Sequence, residues 1–326
     1  MIDELKLKKF SEYLDKAKTV ALICHMNPDG DSLGSALALA EVLKKLGKQA
    51  DVFCDDLPSE KLKILPFCET INTSKLVKFD VAIAVDCSDA DRFAISGRYF
   101  KKANTRLVID HHKTNNNFAD YTICDQNAAA TAEVVFYLIK FLEQKYATKL
   151  IDDETASLLF SALVTDSGCF SFSNTTTETH FIASELVKFN FKASDIIFKL
   201  IKSQTLSIFK LKSRVLNKAK FYENNRIGII TFTAQDFLET EAGIDNTEGI
   251  INEIINILGV DIAIAVSEVN EKYYKISVRT KAPYDASECA GVFGGGGHER
   301  AAGCRVSGFY EDVIDKLLKA SRDLIL

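Results

Sequence analysis

His25, Asp29 and Asp31 fall inside one short stretch, HMNPDGDSLGS, at 25–35. Imidazole and carboxylate groups this close can ligate a metal, and the turn formers Asn27, Pro28 and Gly30 between them bend the backbone so that the side chains can converge. Three more stretches bring similar chemistry: Asp86 in VDCSD, the run Asp110-His111-His112, and Asp166 in TDSG. No thiolate joins the set. Cys24 precedes His25, but alternation along an extended strand points it the other way. Oxygen and imidazole donors suit Mn²⁺ or Mg²⁺ better than a structural zinc. There are enough donors for two ions, and two ions about 3.5–4 Å apart would bridge a hydroxide and clamp a phosphate oxygen.

Each stretch follows an apolar element that could position it. TVALIC (19–24), ADVFC (50–54), FDVAIAVD (79–86) and RLVID (106–110) read as strands, the third as one buried on both faces. SLGSALALAEVLKKLG (32–47), TAEVVFYLIKFLEQK (131–145) and DETASLLFSALVTD (153–166) read as helices. Strands alternating with helices imply an α/β fold, a mostly parallel sheet with helices on both faces. Ligands of such sheets bind at the carboxyl ends of the strands, so the clusters after 24, 85 and 109 should meet at one edge. Taken singly, each has a plainer role. Asp29 and Asp31 fit turn and N-cap positions. Asp86 fits a strand-end turn, and the histidine pair fits a satisfied surface or core pair. Asp166 ends a helix, where its charge opposes the dipole and wants a cation. Together, six such groups at one sheet edge would repel unless cations neutralise them.

The second half restarts with a strand at 226–233, a helix near 247–258, and strands at 261–270 and 273–280 that form a hairpin around Asn270–Lys272. GVFGGGGHERAAGC (291–304) and an amphipathic helix at about 309–324 follow. This is a smaller α/β domain. The expected division is a catalytic domain at 1–190, a helical linker at 191–220 and a second domain at 221–326.

Composition limits the partners. Hydrophobic residues make up 47% and charged residues 26%, as in ordinary soluble proteins. No apolar run approaches the roughly 20 residues that cross a bilayer, and the opening MIDELKLKKF lacks the apolar core of a signal peptide. A cytoplasmic protein with no membrane partner is expected. The eight cysteines are scattered without a CxxC pair, which fits reduced thiols. Net charge is −5, and no basic stripe is evident to neutralise a long polyanion. A phosphate-bearing partner should therefore be short, with no long nucleic acid bound.

HMNPDGDSLGS, VDCSD, DHH and TDSG, in this order and spacing, resemble the DHH phosphoesterase superfamily, and GGGGHERAAG resembles the glycine-rich signature of the DHHA1 substrate domain. The resemblance covers nearly the whole chain. It is strongest to the stand-alone class of about 320 residues: nano-RNase/pAp phosphatases and soluble phosphodiesterases of linear or cyclic dinucleotides. The chain opens directly on the DHH pattern, so the membrane-bound subtype is not expected. The resemblance implies two Mn²⁺ ions, with Mg²⁺ or Co²⁺ as substitutes. His25, Asp29 and Asp86 would hold one. Asp31, Asp86, His111 and Asp166 would hold the other, with Asp86 shared. Asp110 would orient an imidazole, as metal-bound histidines usually require, and His112 would face the substrate. Arg92 is placed to reach a phosphate. In the second domain, Arg279, Gly295, Gly296, Gly297 and His298 would grip the substrate's other phosphate or nucleotide.

The activity so implied is hydrolysis of short oligoribonucleotides and linear dinucleotides such as pApA to 5′-mononucleotides, in a cleft between the domains. 3′-Phosphoadenosine 5′-phosphate is a second substrate, and cyclic di-AMP a further candidate. Because relatives are often dimeric, a homodimer is a further expectation. Three alternatives stand beside this reading. A RecJ-like single-strand DNA exonuclease would want a basic surface and an added OB-like domain. A class II pyrophosphatase would lack the glycine-His signature. A non-catalytic nucleotide-binding module would be expected to have lost metal ligands, and here every position is filled.

Overall fold

The computed structural model describes residues 3–247 and 249–325 and divides into two compact units, Met1–Ser203 and Gln204–Leu326. The first unit is built on five parallel strands, β1 (Thr19–Ile23), β2 (Gln49–Phe53), β3 (Val81–Val85), β4 (Thr105–Asp110) and β5 (Tyr121–Cys124), ordered β2-β1-β3-β4-β5. The chain winds one way from β1 to β2 and the other way from β3 onward. The sheet therefore reverses between β1 and β3, which is where open α/β sheets form a crevice. β3 is VAIAV with every residue buried, as a central parallel strand requires.

The helices of this unit are α1 (Glu4–Lys16), α2 (Gly30–Lys45), α3 (Gly97–Lys102), α4 (Thr131–Tyr146), α5 (Asp153–Asp166), α6 (Thr177–Leu186) and α7 (Ala193–Ile197). One face of the sheet carries the larger core, with Leu7, Phe10 and Leu14 of α1 and the apolar sides of α2, α4 and α5. The other face is covered near α3, where the Phe53 and Tyr99 rings stack with centroids 4.0 Å apart. Helices thus lie on both faces, unequally. α2 rests on α5 through glycines: a Cβ on Gly30 would come within 2.5 Å of the Thr165 side chain, and one on Gly34 within 2.7 Å of the Leu158 carbonyl. α2 begins at Gly30, two residues before the position read from the sequence, because the Asp29 carboxylate accepts the Ser32 N–H and caps it. That puts Asp31 in the first helical turn.

The second unit holds a six-stranded sheet made of β6 (Lys220–Tyr222), β7 (Ile227–Phe232), β8 (Ile262–Asn270), β9 (Tyr273–Thr280), β10 (Gly296–His298) and β11 (Ala301–Ser307). Its order is β10-β11-β9-β8-β7-β6; β7 and β8 are parallel and the other pairs antiparallel. The β8–β9 hairpin forms where the sequence places it. Its helices are α8 (Leu206–Leu216), α9 (Ala234–Thr240), α10 (Ile250–Ile255), α11 (Ala286–Gly291) and α12 (Tyr310–Ile325). The helix expected near 247–258 is the short α10 behind a 3-10 turn at Ile244–Thr247, and Glu248 lies outside the described residues. Ile229, Ile264, Ile276 and Val278 face a core with α11 and α12, while Ile230, Ala263 and Ala265 face another with α8 and α10. The stretch read as a helical linker divides: Ala193–Lys202 belongs to the first unit and Leu206–Leu216 to the second.

Candidate metal centre

The carboxyl ends of β1, β3 and β4 carry His25, Asp86 and Asp110, and the C-terminus of α5 brings Asp166 to the same place. Asp86 is 2% exposed and takes a left-handed backbone, φ 58°. A non-glycine residue held there stores strain that the surroundings must offset. At this turn out of β3 the Asp86 carboxylate lies between the imidazoles of His25 and His111. Its Oδ2 lies 3.7 Å from His25 Nε2 and its Oδ1 3.6 Å from His111 Nε2. His25 Nε2 also lies 4.0 Å from Asp29 Oδ2, and His111 Nε2 lies 3.4 Å from Asp166 Oδ2.

Donor atoms of His25, Asp29 and Asp86 lie within 4.8 Å of one another, as do those of Asp31, His111 and Asp166. Asp86 belongs to the first group and borders the second through His111. Asp86, His111 and His112 also cluster, but His112 Nδ1 is 2.7 Å from Asp110 Oδ1, which commits that nitrogen to a hydrogen bond. Asp110 is fully buried, and its Oδ2 accepts the Asn115 amide at 2.6 Å. The imidazole that Asp110 orients is therefore that of His112.

The Nδ1 atoms of the other two imidazoles are held by backbone. His111 Nδ1 is 3.1 Å from the Ala128 carbonyl and His25 Nδ1 is 2.7 Å from the Met26 carbonyl. A proton on each Nδ1 leaves Nε2 bare, as a ligand must be. Arg92, expected to reach a phosphate, sets a guanidinium nitrogen 3.1 Å from His25 Nδ1. That contact competes with Met26 for the same ring nitrogen. Asp31 is fully buried and accepts the Thr131 N–H at 2.6 Å and the Ala132 N–H at 3.0 Å, the opening amides of α4. The Thr131 hydroxyl donates to Asp86 Oδ1 at 2.8 Å.

The charge balance of the cluster tests whether cations fit. Burial, with the neighbouring carboxylates, pushes the carboxyl groups of Asp29 and Asp31 up, and that of Asp166 up to about 6. Burial acts the same way on Asp86, but the imidazoles of His25, His111 and His112 outweigh it and hold this carboxyl at about 2. Four carboxylates thus compete for one small volume, and three of them bind protons more tightly than usual. Divalent cations would replace those protons, and the donors are the hard oxygens and imidazoles such ions take. The residues fit a pair of divalent ions.

Thr131, Asn115 and the Ala128 carbonyl were not among the sequence candidates. Asn115 sits in the run Asn115–Asn117 just past His112, a signal that could have been read. Thr131 had none, since its partner Asp31 is 100 residues away.

In the second unit, Arg279, Ala301 and His298 are register partners across β9, β11 and β10. Directly opposed residues share a face, so Arg279 and His298 flank the small Ala301 on one side of the sheet. The glycine run, 294–297, ends in the edge strand β10, which takes in Gly296 and Gly297. A Cβ on Gly295 would sit 2.3 Å from the Gly303 carbonyl, and one on Gly297, where φ is +151°, 2.5 Å from that of Ala301. Those two glycines let β10 close on β11, whereas Gly296 meets nothing within 4 Å and stays open to a ligand.

Comparison with known proteins supports the same division of the chain. The DHH family, N-terminal domain, matches residues 19–163, and the DHHA1 domain matches residues 232–326. The bifunctional oligoribonuclease and PAP phosphatase NrnA of Thermus thermophilus is 29% identical over 98% of this chain and 94% of its own. The protein of the same description from Bacillus subtilis is 25% identical over 92% of each. An exopolyphosphatase-related protein from Bacteroides fragilis has the same fold, with a TM-score of 0.90 at 24% identity, over 99% of this chain and 97% of its own. The two domain matches, with relatives that run nearly end to end, place this chain in the DHH family of phosphoesterases, hydrolases that act on phosphate esters.

Proposed function

We propose that the protein is a Mn²⁺-dependent phosphoesterase of short substrates. It hydrolyses oligoribonucleotides of a few residues and linear dinucleotides such as pApA to 5′-mononucleotides, and 3′-phosphoadenosine 5′-phosphate at its 3′-phosphomonoester, leaving a 5′-mononucleotide and phosphate. The observation that carries this is the Asp86 carboxylate, set by a strained backbone between His25 and His111, where two donor groups can share it. The near end-to-end similarity to two bifunctional oligoribonuclease and PAP phosphatases supports the substrate class. Cyclic di-AMP is a further substrate in this reading.

His25, Asp29 and Asp86 are assigned to one ion, and Asp31, Asp86, His111 and Asp166 to the other. Ions bound there would provide a nucleophile at neutral pH and neutralise charge building on phosphoryl oxygens. The chain's own contribution is proton transfer and grip. The hydrogen bond that His112 Nδ1–H donates to Asp110, aided by Asp86 and against burial, raises His112 to about 9. An imidazolium whose Nδ1–H is taken by Asp110 has only Nε2–H left to donate, and we assign it to the leaving oxygen. Arg279, the open Gly296 and His298 are assigned to a second phosphate or the nucleotide end, with Gly295 and Gly297 shaping the strand that carries them. Arg92 is assigned to the substrate phosphate once it leaves His25.

A net charge of −5 fits short substrates better than long polyanions. The absence of any helix long and apolar enough to cross a membrane, among the described residues, and eight free cysteines accord with a cytoplasmic enzyme. A homodimer is part of the proposal. The test is hydrolysis of pApA, 3′-phosphoadenosine 5′-phosphate, cyclic di-AMP and RNA from dimer to 24-mer, with and without Mn²⁺. Metal-dependent turnover that falls steeply with RNA length is expected. A flat length profile on single strands would instead favour a processive exonuclease.

A further inference from the structure

The segment Ala128–Ala132, which leads into α4, touches or borders every residue assigned to one of the two ions. Its Ala128 carbonyl fixes His111 Nδ1 at 3.1 Å. Its Thr131 and Ala132 N–H groups hold both oxygens of Asp31, and its Thr131 hydroxyl holds Asp86. The fourth, Asp166, is reached through Asn174, whose amide nitrogen donates to the Ala129 carbonyl at 2.9 Å and to the Asp166 carbonyl at 3.1 Å. His25 and Asp29, the residues exclusive to the other ion, have no hydrogen bond to this segment among the described residues.

The segment itself is gripped at one peptide. The Ala129 N–H donates to Glu133 Oε1 at 3.2 Å, and the Ala129 carbonyl accepts from Asn174. Glu133 is 4% exposed, and Oε1 also accepts the hydroxyl of the fully buried Thr179 at 2.6 Å. Asn174 Nδ2 makes two bonds while its Oδ1 is buried without a partner among the described residues. A flipped amide would set that oxygen against two carbonyls, so the two acceptors dictate the orientation. A buried oxygen left bare costs free energy, which implies that the two donated bonds outweigh it.

We propose that Glu133 and Asn174 form a clamp on the Ala129 peptide that sets the affinity of one of the two divalent-cation positions, that of Asp31, Asp86, His111 and Asp166, more than that of the other, which meets the segment only through the shared Asp86. Both are positioning residues. The clamp holds the Ala128 carbonyl where it selects the His111 tautomer, and it ties the end of α5 to the start of α4. This inference rests on the two-ion reading above.

The test is titration of the metal-free full-length protein with Mn²⁺ by calorimetry, with electron paramagnetic resonance to follow the coupled Mn²⁺ pair. Wild type should bind two ions. Asn174→Asp, of equal size but with no donor, and Glu133→Ala should each weaken one equivalent by about 10–100-fold, the range for partners behind a metal ligand. The other equivalent, which shares only Asp86 with the segment, should weaken far less, and the coupled signal should fade. Glu133→Gln keeps an acceptor oxygen and should stay near wild type. Should Asn174→Asp fail to fold, Asn174→Ala removes the donors without adding charge. Equal weakening of both equivalents, or none, overturns the clamp. Failure of Glu133→Gln to rescue overturns the acceptor role of Glu133. A wild type that binds fewer than two ions overturns the two-ion reading itself, and the clamp with it.

Discussion

Asp86 concentrates the chemistry of the first unit. Its positive φ would be tolerated by asparagine, which visits the left-handed region more readily than most residues. Asp86→Asn can also keep the acceptor for Thr131 while losing the charge both donor groups share. Activity on pApA should fall by more than about 10²-fold, since replacing even the partners of a ligand costs 10–100-fold. The melting temperature of the metal-free protein should fall, because the imidazoles that hold this carboxyl at about 2 lose their counter-charge. Steady-state kinetics and thermal melting check this together, and near-normal turnover would sink the shared-ligand assignment. Asp29 shows why residue type alone is ambiguous. One oxygen caps α2 at 2.9 Å from Ser32 N while the other faces His25 at 4.0 Å. Cap and candidate ligand, posed as alternatives by the sequence, fall to two different oxygens of one group.

At the scale of elements, the site depends on how closely α2 lies on α5, because Asp31 rides on the first and Asp166 ends the second. Gly34→Ala sets two effects against each other. Helix propensity favours alanine by about 1 kcal/mol. A Cβ 2.7 Å from the Leu158 carbonyl and 3.1 Å from the Ala162 Cβ is overpacking, which typically costs about 1–3 kcal/mol. Backbone cannot yield as a flexible side chain can, so the clash should win. Denaturant unfolding should show net destabilisation, with Mn²⁺ affinity lowered as Asp31 moves. A stabilised variant would mean the helices separate freely. Helix and strand identities were largely legible: apolar periodicity located α4, α5, β3 and the β8–β9 hairpin within a residue or two. Several elements were not read, α3, α9, α11, β6 and β11 among them, and two further kinds show why. α1 presents a chain so rich in charge that Leu7, Phe10 and Leu14 are its only deeply buried apolar contacts. β5 and β10 are short edge strands whose pairing comes from neighbours, and glycine in β10 reads locally as a turn.

For the whole molecule, the converging carboxylates predict that chelation costs stability as well as activity. With EDTA the repulsion among Asp29, Asp31, Asp86 and Asp166 is relieved only by protons, and the first unit should loosen. Restoring Mn²⁺ at about a hundred times its dissociation constant should return about 2.7 kcal/mol per independent site. Hydrogen exchange should place the change around residues 24–31, 85–112 and 128–166 and leave the β7–β9 core at baseline. Loss spread evenly over the chain would argue against a local metal centre.

The sequence alone determined the inventory of candidate ligands, its order along the chain, the parallel sheet with flanking helices and the presence of a second glycine-bearing domain. These follow from local rules: donor chemistry is a property of side chains, and apolar periodicity is a property of short segments. Tertiary structure alone decided which imidazole Asp110 holds, that Arg92 rests on His25, that the glycine run ends in an edge strand, and that Thr131, Glu133 and Asn174 support the site. The last of these depends on hydrogen bonds that join distant segments, as between Thr131 and Asp31 or Asn174 and Ala129. No spacing in the chain records such a contact, because it exists only once the sheet and its helices have set the backbone amides and carbonyls in place.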